Sequence, residues 1–143
     1  MANIVPDSFK TDLLGGVFDF DSGGSTFRLA LYTDISGFST STTAYTTTNE
    51  VSSSGTGYTA AGNTLTNNGV SVGSNIAFVD FADLTFSSVT LTADSALIYK
   101  SSAGNEAVLV LDFGGDKTAT NGDFVIQFPT ADSTNAIIRL GDA

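Results

Sequence analysis

Apolar and polar positions alternate with a period of two along much of this chain, which predicts half-buried strands. The clearest case is 26–32, where Phe27, Leu29 and Leu31 face one way and Arg28, Ala30 and Tyr32 the other. Val17-Phe18-Asp19-Phe20 precedes it, with the turn Asp21-Ser22-Gly23-Gly24 between, so the two segments read as a β-hairpin. Further strands are predicted at 76–81, 84–91, 96–100, 107–113, 124–128 and 136–140. Turn residues separate the last of these at 101–105, at 114–122 and at 132–135. Ala107-Val108-Leu109-Val110-Leu111 is apolar at every position, which predicts a strand covered on both faces.

Only one stretch follows a helical period. Pro6 to Leu14 places Phe9, Leu13 and Leu14 on one side, with Pro6 at a helix start and Gly15-Gly16 as a stop. Two or three turns are marginal alone, so this helix must dock on its own sheet or on a neighbouring subunit. From 33 to 73 the pattern loosens into Ser, Thr, Gly and Asn with isolated apolar anchors, and short strands fit 56–60, 63–67 and 69–72. Such a stretch is either a set of irregular strands and turns or an interaction lobe. The resulting expectation is an all-β fold, an antiparallel sandwich or partly open barrel with a short N-terminal helix. An arm with the helix occupies 1–16, and a single sandwich domain 17–143 carries the irregular lobe.

Composition narrows the chemistry. The chain has 143 residues, enough for one real core. Five basic residues face fifteen acidic ones, for a net charge of −10. That surface repels phosphates, so neither nucleic acid nor an anionic membrane is an expected partner. No apolar run approaches the roughly 20 residues of a membrane span, and no signal peptide is expected at the N-terminus. Charged residues make up 14% of the chain, against roughly 25% in ordinary domains. Small uncharged polar residues fill the gap and are easily desolvated against a neighbour.

With no Cys and no His, thiol and Ser-His catalysis and the usual zinc sites are excluded. Paired carboxylates remain: Asp19 with Asp21, Asp80 with Asp83, and Asp112 with Asp116. A glycosidase needs two such groups across a groove, and grooves of that kind usually bring Trp, which this chain lacks. Asp112, Asp116 and Asp123 bracket a Gly-rich loop, where turn capping and a bound calcium ion are both open readings. Asp112-Phe113-Gly114 spells a kinase magnesium motif without any of its companions. The expectation is a non-enzyme with no cofactor and no metal.

Several segments carry a resemblance. Asn3-Ile4-Val5-Pro6-Asp7-Ser8-Phe9-Lys10, Phe27 to Thr33, Gly57 to Gly62, Phe78 to Phe86, Val110 to Asp116 and Gly122 to Pro129 resemble a small family of tailed-bacteriophage virion proteins. The resemblance covers nearly the whole chain and brings no catalytic residues. It implies a capsid decoration (cement) protein on the virion's outer surface, with the major capsid protein as partner. It also implies a homo-oligomer, a trimer ahead of a dimer. A tail or receptor-binding component is the alternative. Phe9, Leu13 and Leu14 are the expected anchors to shell or subunit. Tyr45 and Tyr58 come next, either as interface residues or as local core.

Overall fold

In the computed structural model, which describes residues 2–141, the alternation at 26–32 becomes strand β1, Phe27–Tyr32. The fold is all-β and sandwich-like, with two antiparallel sheets and one short helix. The remaining strands are β2 (Asn63–Thr64), β3 (Asn67–Gly73), β4 (Ile76–Phe81), β5 (Leu84–Lys100), β6 (Ala107–Ile126) and β7 (Ile138–Leu140). One sheet has the order β2-β1-β5-β6 and the other β3-β4-β7.

The two faces of β1 end in different apolar clusters. Phe27, Leu29 and Leu31 join the large one between the sheets. Ala30 and Tyr32 join a smaller one with Leu97, Tyr99, Ala107 and Val110. That smaller cluster is roofed by Ile35, Phe38, Ile4 and Tyr45. The loose stretch after β1 is therefore a lid over the sheet's second face rather than a projecting lobe. It explains why Ala107 to Leu111 is buried throughout. Six phenylalanines form the centre of the large cluster. Phe20 stacks on Phe27 at 4.6 Å between centroids, and contacts run on through Phe9, Phe18, Phe81 and Phe128.

Three expectations are corrected. Val17–Phe20 is not a strand and forms no hairpin with β1. It is an irregular segment whose Phe18 and Phe20 point into the core. Lys100 Nζ holds it by donating to the Val17 carbonyl at 2.6 Å. Secondly, 84–91 and 96–100 are one strand, and 107–113 and 124–126 are one strand. The expected turn at 114–122 is strand interrupted by bulges, where Gly114, Gly115 and Asn121 have φ of 75°, 137° and 47°. Thirdly, residues 56–60 contain no strand.

The N-terminal helix α1, Asp7–Leu14, starts after Pro6 and ends at Gly15 and Gly16, the latter at φ 79°. Asp7 in its first turn suits the positive end of the helix dipole. The arm does not reach away from the domain. Ile4 exchanges backbone hydrogen bonds of 2.9 Å with Val110, and Asn3 Oδ1 accepts from the Asp112 N–H. The arm thus extends the sheet at the edge of β6. Residues 43–45 cap the same edge beside 105–107.

Candidate functional site

The expected anchors separate into inside and outside. Phe9 is buried against Phe18 and Phe20. Tyr58 is buried against Phe86. Tyr45 lies half-buried and stacks on Tyr99 at 4.9 Å. Phe9 and Tyr58 therefore pack within their own chain, and the arm expected to reach a neighbour is folded home. Leu13 is half-buried, and Leu14 is 86% exposed. Of the five, only Leu14 is fully offered outward, while Leu13 packs in part against the large cluster.

The tyrosines instead belong to a polar hub. Glu50 Oε1 accepts from Tyr58 Oη at 2.8 Å and from the Ala61 N–H at 2.6 Å. Its Oε2 accepts from Tyr45 Oη at 2.7 Å. Tyr58 Oη in turn accepts from the Leu31 N–H in the middle of β1. Tyr99 Oη donates to the Ala61 carbonyl, and Tyr32 Oη to the Thr46 carbonyl. One carboxylate thereby fastens two distant parts of the lid, residues 45 and 58–61, to the sheet. Sequence reading missed Glu50, because a lone Glu in a Thr-rich stretch has no spacing that marks it.

All four tyrosines of the chain take part. Burial raises the pKa of Tyr32, Tyr45, Tyr58 and Tyr99 above the ordinary tyrosine value. The Glu50 carboxylate adds to the rise at each, while the Arg28 guanidinium opposes it at Tyr99. The unfolded chain's tyrosines ionise near pH ~10, whereas the folded ones keep their protons beyond it. The folded state then binds more protons, so stability is complete below pH ~10 and falls as pH rises past it. The native protein should show no phenolate absorbance at 295 nm at pH values where free tyrosine ionises. Absorbance should instead rise together with loss of the circular-dichroism signal. Phenolate formation in a still-folded protein would show the hub to be open.

Carboxylates of each pair accept hydrogen bonds within the chain. Asp19 Oδ1 accepts from the Asp21 N–H, and Asp80 Oδ2 from Asn68 Nδ2. Asp83 Oδ1 accepts from the Phe128 N–H, and Asp112 Oδ1 from the Gly114 N–H. Those of Asp19 and Asp112 are the turn-closing bonds that short acidic side chains make, while those of Asp80 and Asp83 join segments distant in sequence. Asp112 and Asp123 line one groove with Lys117, Phe113 and Phe128. Among the described residues, no group of three His, Cys, Asp or Glu side chains is placed to hold a metal ion.

Two exposed surfaces remain. On the outer face of the β5–β6 ribbon, Thr85, Thr90, Thr92, Thr118 and Thr120 are exposed, while Leu91, Ala93 and Ala119 point inward. Thr92 and Thr118 hydroxyls meet at 2.8 Å, and Thr90 pairs with Asn121. The second surface is an apolar groove of about 520 Å³ between α1 and β7. Leu13 forms part of its wall with Phe9, Val108, Leu109, Ile138 and Leu140. The sequence marked these residues as strand or helix positions, and only the packing of α1 near β7 assembles them. No family model, no curated protein and no solved structure matched this chain in comparison.

Proposed function

We propose that this chain is a structural virion protein, a decoration protein that binds the outer surface of a tailed-phage capsid and stabilises the expanded shell. The proposal begins from the resemblance of its segments to that family. The observation that carries it further is the character of the exposed surface. Carboxylates that suggested hydrolysis are taken up by backbone N–H groups, at Asp19 and Asp112 in turns and at Asp83 by Phe128, while uncharged hydroxyls and apolar side chains stand outward. Such surfaces lose little hydration on contact and suit binding to another protein. A cement protein needs only modest affinity per contact, because many copies engage one shell. Its natural form is a closed oligomer, a trimer ahead of a dimer, on a symmetry axis. The partner would be the major capsid protein. The threonine face on β5 and β6 favours a second reading, a tail or receptor-binding component that meets a glycan.

An add-back experiment tests the proposal. Purified protein is mixed with expanded capsids that lack it, the shells are pelleted, and bound copies are counted. Saturation at a number set by the shell's symmetry axes is the expected outcome. Absence of binding to mature shells would remove the cement reading and turn attention to the tail.

A further inference from the structure

The groove between α1 and β7 carries a chemical preference. Its walls are Val5, Phe9, Leu13, Val108, Leu109 and Leu140, among others. Leu140 at its lip is 61% exposed, and Val5 is 42% exposed. In register, Leu140 stands opposite Ala77, and Ala77 opposite Val72, which is 75% exposed. Residues opposite one another share a sheet face. The three-stranded sheet thus carries an apolar row, Val72-Ala77-Leu140, that leads to the groove.

The described residues that line it carry charge of one sign, although Asp7 lies beside Lys10 and Asp132 within electrostatic reach of Arg139. The chain has fifteen acidic residues and five basic ones, yet among the described residues the only charged ones lining this groove are Lys10 and Arg139. Lys10 meets Asp7 one helical turn back at 2.9 Å, in an exposed pair, and pairs of that kind hold little energy. Lys10 can therefore turn to an incoming anion at small cost, and Arg139 stands at an exposed position. The other large groove is lined by Asp112, Asp123 and Lys117, so a cationic rim is not a general property of this surface.

We propose that the groove between α1 and β7 binds a peptide segment of a partner protein whose apolar side chains alternate with or adjoin carboxylates. Apolar side chains fill the trough between Leu13 and Leu140, and the carboxylates meet Lys10 and Arg139. A second copy of this chain docking groove to groove would set Lys10 and Arg139 against their own counterparts, which like-charge repulsion opposes. The inference rests on the reading of the chain as a surface-binding virion protein only for the name of the partner. The chemistry of the groove stands apart from it.

The full chain is panned against a random dodecapeptide library, and the enriched peptides are titrated into isotopically labelled protein. Expected are sequences pairing Leu, Ile or Phe with Asp or Glu, which shift the amide signals of Leu13, Ile138 and Leu140. Leu140→Asp should weaken them by ~10-fold or more, and Arg139→Glu should weaken them several-fold. Affinity should also fall with added salt. Both substitutions lie at exposed positions, and thermal melting of each variant checks that the fold is kept. Enrichment of basic peptides, or of none, would overturn the proposal. So would concentration-dependent self-association abolished by Leu140→Asp, which makes a second copy the occupant. Dodecanoate shifting the same amides with no peptide selected would overturn it in favour of a lipid-like ligand. Leu140→Asp is then carried into the add-back assay. Wild type and variant binding shells equally would remove the groove from the shell contact while leaving the cement reading in place. Wild type failing to bind shells would remove the cement reading, and the peptide selection would still decide the groove.

Discussion

Gly62→Ala should leave little folded protein. Gly62 sits at φ 74°, and a Cβ there would lie 1.8 Å from the Leu29 carbonyl oxygen and 2.7 Å from the Ala30 Cα. Those atoms belong to the backbone of β1, which cannot retreat. Leu29 and Ala30 are paired with Ile98 and Leu97 of β5, and both are fully buried. The chain at 61–62 cannot retreat either. The Ala61 carbonyl accepts from Tyr99 Oη and Arg28 Nε, and the Gly62 carbonyl accepts from Arg28 Nη2. A methyl group would force residues 61–62 and β1 apart. The loss is then that of several hydrogen bonds plus the apolar packing beneath, set against a total stability of only about 5–15 kcal/mol. Gly55→Ala is the control. Gly55 has φ 72° and nothing within 4 Å of its would-be Cβ, so only the left-handed penalty of about 1–2 kcal/mol applies. Urea unfolding followed by circular dichroism separates the two. Equal midpoints for both variants would mean that residues 61–62 do not lie against β1 in solution.

Phe9→Ala should destabilise the domain by about 3–5 kcal/mol, the usual cost of removing a buried aromatic ring. Phe9 touches Phe18 and Phe20, at 5.3 and 6.1 Å between ring centroids. Leu14→Ala, at the exposed C-terminal end of the same helix, should change stability by no more than about 0.5 kcal/mol. The pair decides what the arm is for. A large loss at Phe9 makes the helix part of the domain's core. A neutral Phe9→Ala would mean that the helix leaves the sheet in solution, and the arm would again be available to a neighbouring subunit. The same denaturation curves serve as readout, because a shift in midpoint at constant slope reports stability alone.

Much of the sandwich was legible because burial leaves a period. Alternation in 27–32 predicted the two faces of β1, which enter separate clusters. The unbroken apolar run at 107–111 predicted a doubly covered strand. Pro6, the spacing of Phe9 and Leu13, and Gly15-Gly16 predicted α1. The failures share a cause. Glycine and asparagine mark positive φ, and positive φ serves a bulge inside a strand as well as a turn between strands. Gly114, Gly115 and Asn121 were read as turns and are bulges. Phe18 and Phe20 alternate as strand residues do, yet no neighbouring strand pairs with them. The site was less legible than the fold. Tyrosine is enriched at interfaces and is equally suited to donating a hydrogen bond from a core. What decides between them at Tyr45 and Tyr58 is Glu50, whose role depends on the path of the lid. The groove joins residues 5–13, 108–109 and 137–141, a combination that no local pattern announces.

The bond between Asn3 and Asp112 spans 109 positions. A ribosome must therefore synthesise most of the chain before the first residues find their place. Until then the segment bearing Phe9 has Phe18 and Phe20 at hand but lacks its hold on β6. Pairings this distant in sequence are slow to form, because loop closure costs entropy before any contact offsets it. The order of assembly follows from that. The β5–β6 hairpin is local and can form early, β1 then joins β5, and the bridge from Ile4 to Val110 closes last. A premature stop before Val110 would take away the backbone partner of Ile4.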